Sequence, residues 1–215
     1  MKAMLWDLDD TLLNTLAPRM RALAHSYEVN LGCKTDPEAL WRSHRGGTLE
    51  DLGRRLMGDR FQVFADTYRD YYYTHEHTVR PFEGISLVLE TVREARIPMA
   101  VVTSKIAWGA TDELAKAGIL QHFQAVVGYD DTELHKPDPE PVFEALDRLC
   151  LTSEQDVLFV GDSPADIWAA RNAGIKSVAA LWGTIDAELL LDAMPDYRAE
   201  RPLGVLDVLR EVLAR

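Results

Sequence analysis

Cysteine is scarce: Cys33 and Cys150 are the only two among 215 residues, and they stand far apart. That spacing argues against a disulfide framework and for reduced thiols in a cytoplasmic protein. Long apolar runs are missing too; nothing approaches the roughly 18 residues that a membrane span needs. No basic stretch followed by an apolar one opens the chain, so no secretion signal is expected. Basic residues are outnumbered, with 23 Lys and Arg against 35 Asp and Glu and a net charge of -12. Without a cationic stripe, nucleic-acid binding is disfavoured. An anionic substrate would have to be drawn in by local charge rather than by the global field. Repeats and low-complexity tracts are also absent.

What is present is apolar material in a regular order. Hydrophobic residues make up 47% of the chain, enough for one full domain and an insertion. Ala3-Met4-Leu5-Trp6 reads as a short buried strand. A helical block comes next: Leu16, Met20, Leu23, Ala24, Tyr27 and Leu31 recur at helical spacing, with Pro18 near the start and Gly32 at the end. Further helices are predicted at about 36–44, 48–57 and 60–77, up to the Pro/Gly junction at Arg80-Pro81-Phe82-Glu83-Gly84. Beyond it, strands at 98–102, 125–127, 157–160 and 177–181 alternate with helices at 84–95, 107–117, 139–149 and 164–173, and two short helices close the chain. Such alternation means a parallel sheet covered on both faces. The fold class is therefore α/β: a doubly wound, Rossmann-like parallel-sheet core of residues 1–14 and 81–215, with an inserted all-helical cap domain at 15–80.

In sheets of this kind ligands bind beyond the carboxyl ends of the strands, so the residues just past each strand are informative. The first strand runs into Asp7-Leu8-Asp9-Asp10-Thr11. In extended backbone Asp7 and Asp9 share a side while Leu8 faces the other, and Trp6 points away from Asp7 into the core. Carboxylates held so close need a cation, a shared proton or strong donors, and magnesium, a hard cation that prefers oxygen, meets the need. A plainer reading is an acidic helix start capped by Asp10 or Thr11. Later strands lead to Thr103-Ser104-Lys105, to Lys136 by way of Asp130 and Asp131, and to Gly161-Asp162-Ser163-Pro164-Ala165-Asp166. Four strands thus deliver acids, a hydroxyl and a lysine to one edge. Thr103 would also suit a helix cap, and Lys136 a solvated place beside Pro137, Pro139 and Pro141. Ser163 suits the cap of the helix that Pro164 opens.

Taken together, DLDDTL (7–12), Thr103 after Val-Val, Lys136 and GDSPAD (161–166) resemble the four motifs of the haloacid dehalogenase superfamily, in order and over essentially the whole chain. The helical insertion is similar to that family's C1-type cap. VVTSK (101–105), HKPDPEPVFEAL (135–146), VGDSPADI (160–167), LWG (181–183) and PDY (195–197) most resemble a branch holding phosphoglycolate phosphatases and PpaX-type inorganic pyrophosphatases. The resemblance implies an Mg2+-dependent phosphatase of small phosphate monoesters, with pyrophosphate hydrolysis as the alternative. In that family pattern Asp7 is the nucleophile, and Asp9 is the general acid and then the base. Mg2+ is held by the Asp7 carboxylate, the Asp9 carbonyl and Asp162. Thr103, Ser104 and Lys136 hold the phosphoryl group, and Asp166 orients a ligand, a water or Lys136. Gly161 would let the backbone pass close to the metal.

Departures from other branches sharpen the expectation. Dehalogenases and phosphonatases lack the second acid of the first motif, which is present here as Asp9. Arg19 stands where phosphosugar mutases carry a cap histidine, which disfavours a mutase. A silent binding protein of the same fold is a further alternative, although the motif residues are intact. Asp10 stands where many relatives have Gly. Arg45, with Arg42 and His44 before the Gly46-Gly47-Thr48 turn, could bind a second anionic group of the substrate or be ordinary surface charge at a loop, and Arg19 and Lys105 are secondary candidates for the same role. His75 and His77 are two apart and share no helical face, so they make no metal site. The expected partner is a small phosphorylated metabolite, with no nucleic acid and no membrane. The expected state is a monomer or homodimer whose cap opens and closes over the site.

Overall fold

The strand β1 (Ala3–Trp6) sends Ala3 and Leu5 into one layer of core and Met4 and Trp6 into another, and all four are fully buried. A strand covered on both faces must be apolar throughout, which is why its sequence does not alternate. The computed structural model describes residues 2–44, 47–75, 79–151 and 156–214. The chain divides into two compact units, one of residues 1–14 and 79–215 and one of residues 15–78.

In chain order β1 is followed by β2 (Leu13–Asn14) and by the helices α1 (Leu16–Leu31), α2 (Pro37–His44), α3 (Leu49–Met57) and α4 (Phe61–Thr74). Then come β3 (Arg80–Pro81), α5 (Ile85–Glu94), β4 (Met99–Val102), α6 (Ala107–Lys116), β5 (Ala125–Val127), α7 (Glu140–Arg148) and β6 (Val157–Gly161). The chain closes with α8 (Pro164–Asn172), β7 (Lys176–Ala180), α9 (Ala187–Asp192), β8 (Tyr197–Ala199) and α10 (Gly204–Leu213). Helices α1 to α4 belong to the second unit, which packs Met20, Leu23, Leu52 and Phe64 into a core of its own. Among the described residues no helix is long and apolar enough to cross a membrane.

Six strands of the first unit form one parallel sheet in the order β5-β4-β1-β6-β7-β8. Ile85, Val88, Leu89 and Val92 of α5 and Val205 and Leu209 of α10 cover the face that receives Met4 and Trp6. Val142, Ala145 and Leu146 of α7 and Ala169 and Ala170 of α8 cover the face that receives Ala3 and Leu5. Strand order runs outward in both directions from β1, with β4 on one side and β6 on the other. That makes the carboxyl end of β1 the switch point of the sheet, where doubly wound folds place their ligands.

Strands β2, β3 and β8 were not legible in the sequence. Strands β2 and β3 are two residues each and pair antiparallel, Leu13 with Pro81 and Asn14 with Arg80. Strand β8 lies between the two closing helices and pairs along β7 from Val178 to Ala180. These segments are too short to show a period, and none is an apolar run like Ala125–Val127. The chain past β1 does not start a helix: α1 begins at Leu16, and its N-cap Thr15 makes no side-chain cap bond. Asp10 and Thr11 therefore cap nothing there.

Candidate active site

Asp7 is fixed before its side chain is considered. Its N–H donates to the Val160 carbonyl at 2.9 Å, extending the ladder between β1 and β6 by one residue. Its side chain follows the parity of Ala3 and Leu5, while Leu8 returns to the opposite core, fully buried. The chain then turns tightly: the Leu12 and Leu13 N–H groups both donate to the Leu8 carbonyl at 3.0 Å, and the Asp10 N–H donates to Leu13 at 2.7 Å. Asp10 takes a left-handed φ of 60°, a region that Asp tolerates better than most residues.

This turn is buttressed from the far end of the chain. The Trp182 indole N–H donates to the Thr11 carbonyl at 2.9 Å. A Cβ at Gly183 would stand 1.5 Å from the Asp10 carbonyl oxygen, so only glycine fits there.

Lys136 closes the site from above. Its ammonium donates to Asp7 Oδ1 at 2.7 Å, to Asp166 Oδ1 at 2.6 Å and to the Val102 carbonyl at 3.2 Å. It lies 5.6 Å from the Phe159 ring centroid and is 6% exposed, so it is not a solvated lysine beside a linker. The Pro-rich segment that carries it is tied down: Glu140 accepts from the Glu133 and Leu134 N–H groups, and Asn172 donates to the Pro137 carbonyl.

Burial pushes the Asp7 carboxyl up; Lys136 works against that, and Asp166 and Asp9 add to it, leaving Asp7 at about 7. Burial pulls Lys136 down, but Asp166 and Asp7 more than reverse it, so the lysine stays charged above its ordinary value.

Asp166 is committed to this scaffold. Besides Lys136 it accepts from the Ser163 N–H at 3.0 Å and the Ser163 hydroxyl at 2.7 Å. The capping contact at α8 therefore runs from Ser163 to the Asp166 carboxylate. The same side chain explains Gly161: an added Cβ would meet Asp166 Cβ and Cγ at 2.4 Å. Glycine at 161 is thus required by the close approach of Asp166.

Asp162 accepts from the Thr11 hydroxyl at 3.0 Å. Asp7, Asp162 and Asp166 can each offer a carboxylate oxygen within 4.8 Å of the others. With Asp166 held by Lys136 and Ser163, Asp7 and Asp162 are the pair suited to a cation. The fit is chemical: an all-oxygen set is what a hard divalent ion takes, and the Asp166 and Asp9 charges add to the upward push that burial puts on Asp7.

On the neighbouring strand, Thr103 is 5% exposed and its N–H donates to the Val127 carbonyl. Its hydroxyl oxygen accepts from the Lys105 N–H at 3.2 Å, which leaves the hydroxyl proton to be given to a bound oxyanion. Thr103 does not cap α6, whose N-cap is Ile106; Asp130 accepts from the Ala107 N–H at 2.7 Å instead. Ser104 is exposed. Lys105 turns inward, its ammonium 3.0 Å from Asp9 Oδ1 and bonded to Glu113.

Asp7, Asp9, Lys136, Asp162 and Asp166 are thus drawn together in the first unit, with Thr103 beside the Val102 carbonyl that Lys136 touches. Arg19 lies in the second unit, its guanidinium 5.0 Å from the Trp41 ring centroid. Arg45 and His77 lie outside the described residues, and His75 stacks on Tyr71. Sequence reasoning missed Thr11, Glu113 and the support from Trp182 and Gly183. The motif spellings DLDDTL and LWG contained three of these four, but the spelling gives no partner.

Residues 4–180 match the family model for haloacid dehalogenase-like hydrolases. A protein of Caldanaerobacter subterraneus subsp. tengcongensis, provisionally named pyrophosphatase PpaX, is 36% identical over 214 residues, covering 97% of this chain and 94% of that one. A phosphoglycolate phosphatase of Aquifex aeolicus is 28% identical, covering 97% of each chain. A solved haloacid dehalogenase-like hydrolase of Streptococcus pneumoniae superposes with a TM-score of 0.84 at 25% identity, covering 97% of this chain and 98% of that one.

Proposed function

The chain belongs to the haloacid dehalogenase-like hydrolases and is a phosphatase, and we propose that it hydrolyses small phosphate monoesters with Mg2+ through a phosphoryl group carried on Asp7. The observation that carries this reading is Lys136, buried and shared between Asp7 and Asp166 at 2.7 and 2.6 Å. A buried ammonium against an acid at the switch point of the sheet is a site for a third anionic group.

Asp7 Oδ attacks phosphorus and the bond to the leaving oxygen breaks, giving an acyl phosphate. Asp9 gives its proton to that oxygen, then takes one from the water that attacks phosphorus and releases Asp7. Each transfer is worth about 10²–10⁴-fold in comparable systems. Thr103 and the Ser104 amide donate to phosphoryl oxygens, and Lys136 places a fixed positive charge beside them. Asp7, the Asp9 carbonyl and Asp162 would hold Mg2+, which supplies charge neutralisation for the nucleophile and the phosphoryl group. Thr11 steadies Asp162, and Asp166 steadies Lys136. Arg19 and Arg45 are proposed to select the substrate through a second anionic group.

A second substrate reading has its own support. The relative at 36% identity carries a pyrophosphatase name, as does one at 31% identity from Halalkalibacterium halodurans. Phosphate release from phosphoglycolate and from pyrophosphate, each with magnesium and with chelator, separates the two. Turnover of either with magnesium alone supports the phosphatase reading; turnover undiminished by chelator contradicts the metal.

A further inference from the structure

We propose that Lys105 is a positioning residue that holds the Asp9 carboxylate where the leaving oxygen must be protonated, and that Glu113 holds Lys105 in turn. The inference rests on the phosphatase reading above and extends it to two residues outside the motif acids.

Three segments meet here: the turn after β1, the loop after β4 and the second turn of α6. The Lys105 ammonium forms an ion pair with Asp9 Oδ1 at 3.0 Å, outside hydrogen-bond geometry, and is hydrogen-bonded to a Glu113 carboxylate oxygen. The side chains of Lys105 and Glu113 are 9% and 6% exposed, and that of Asp9 is 17% exposed. Burying Glu113 in an already acidic region is costly unless a cation compensates it. Lys105 is that cation, and the pairing fixes it in a direction that reaches Asp9.

The Lys105 ammonium is engaged by the Asp9 and Glu113 carboxylates, from two different segments of the first unit. The sequence allowed Lys105 a secondary role as an anion-binding group; its contact with Asp9 adds a positioning role. Position matters for Asp9 more than for most acids. A proton donor misplaced by about 1 Å can lose two orders of magnitude in rate. Asp9 also stands two residues from Asp7 on a tight turn, where repulsion between the carboxylates would push it outward. The same lysine donates its backbone N–H to Thr103 Oγ1 at 3.2 Å, so one residue orients both the proton donor and a phosphoryl-binding hydroxyl.

The test is a series of aryl phosphates from phenyl to 2,4-dinitrophenyl, none with a second anionic group, assayed by kcat/KM with magnesium. Poor leaving groups need the proton of Asp9 and good ones do not. Lys105→Met and Glu113→Gln should lose about 10²-fold on phenyl phosphate and less than about tenfold on the dinitrophenyl ester, and Lys105→Arg should recover most of the loss. A parallel loss along the whole series would overturn the inference, as would a rise in KM at constant kcat. If Lys105→Met does not fold, Glu113→Gln carries the comparison. Crystal structures of the folded variants give a readout independent of turnover: Asp9 should leave its place in Lys105→Met, and an unmoved carboxylate counts against the proposal. Wild-type protein that turns over no phosphate monoester would count against the phosphatase reading instead, leaving the structural readout to judge Lys105.

Discussion

The Lys136 ammonium and the Asp166 carboxylate meet at 2.6 Å, with 5% and 1% of their side chains exposed. Asp166 also accepts twice from Ser163, so the lysine is aimed at Asp7 by a carboxylate that is itself anchored to the start of α8. Lys136→Ala should lower kcat by about 10²–10³, the size found when a comparable electrostatic donor is removed. Asp166→Asn should cost less, because it weakens the aim without removing the charge. Steady-state kinetics with one substrate decides; a loss below about tenfold for Lys136→Ala contradicts the clamp.

The acid cluster makes a claim about the metal that needs no turnover. Magnesium should raise the melting temperature of the wild-type protein, because an ion that binds the folded state stabilises it by mass action. Asp162→Asn should abolish most of that shift while leaving the magnesium-free melting temperature within a few degrees. Differential scanning fluorimetry across a magnesium titration measures both. An undiminished shift in the variant would move the ion away from Asp162.

The turn after β1 depends on a residue near the far end of the chain. Gly183→Ala would drive its Cβ into the Asp10 carbonyl, which cannot rotate aside. A loss of about 1–3 kcal/mol is expected from overpacking of this kind. Activity should fall with it, since the displaced turn carries Asp9. Denaturant unfolding and kcat on the same sample check the pair; a variant as stable and as active as wild type contradicts the contact.

Asp131 gives the clearest pH signature of stability. Burial works to raise it, but the Arg148 guanidinium and the Gly128 N–H more than offset this, and its carboxyl lies below the ordinary 3.8. A carboxylate held lower in the folded state stabilises above its unfolded value, and that stabilisation disappears as pH falls through the folded value. Asp131→Asn should therefore cost about 1–2 kcal/mol at neutral pH, discounted for partial exposure, and little once the wild-type Asp131 is protonated in the folded as well as the unfolded state, below its lowered folded value. Chemical unfolding at neutral and strongly acidic pH measures the gap; one that does not close with acid contradicts the assignment.

Much of the sheet was readable because burial on both faces leaves an unmistakable apolar run, as in Ala3–Trp6 and Met99–Val102. Acids and a lysine stationed after such runs announced the site. What escaped reading has a physical reason in each case. Strand β8, Tyr-Arg-Ala, has a charged residue at its centre and none of the continuous apolar run that marks β5, Ala-Val-Val. The left-handed turn at Asp10 uses a residue that tolerates it in place of the glycine that would have signalled it. Glu113 sits on an ordinary helix, and only three dimensions bring it to Lys105. Gly161 was readable as a place of close approach but not as one made for Asp166, because composition names no partner.

The most direct test is to look for phosphate on Asp7 itself. Enzyme turning over substrate with magnesium should be quenched in acid, digested and weighed by mass spectrometry. The account predicts a phosphorylated peptide containing Asp7, labile to hydroxylamine and absent from Asp7→Asn. Turnover that proceeds in Asp7→Asn at the wild-type rate, or phosphate found on another residue, would contradict it.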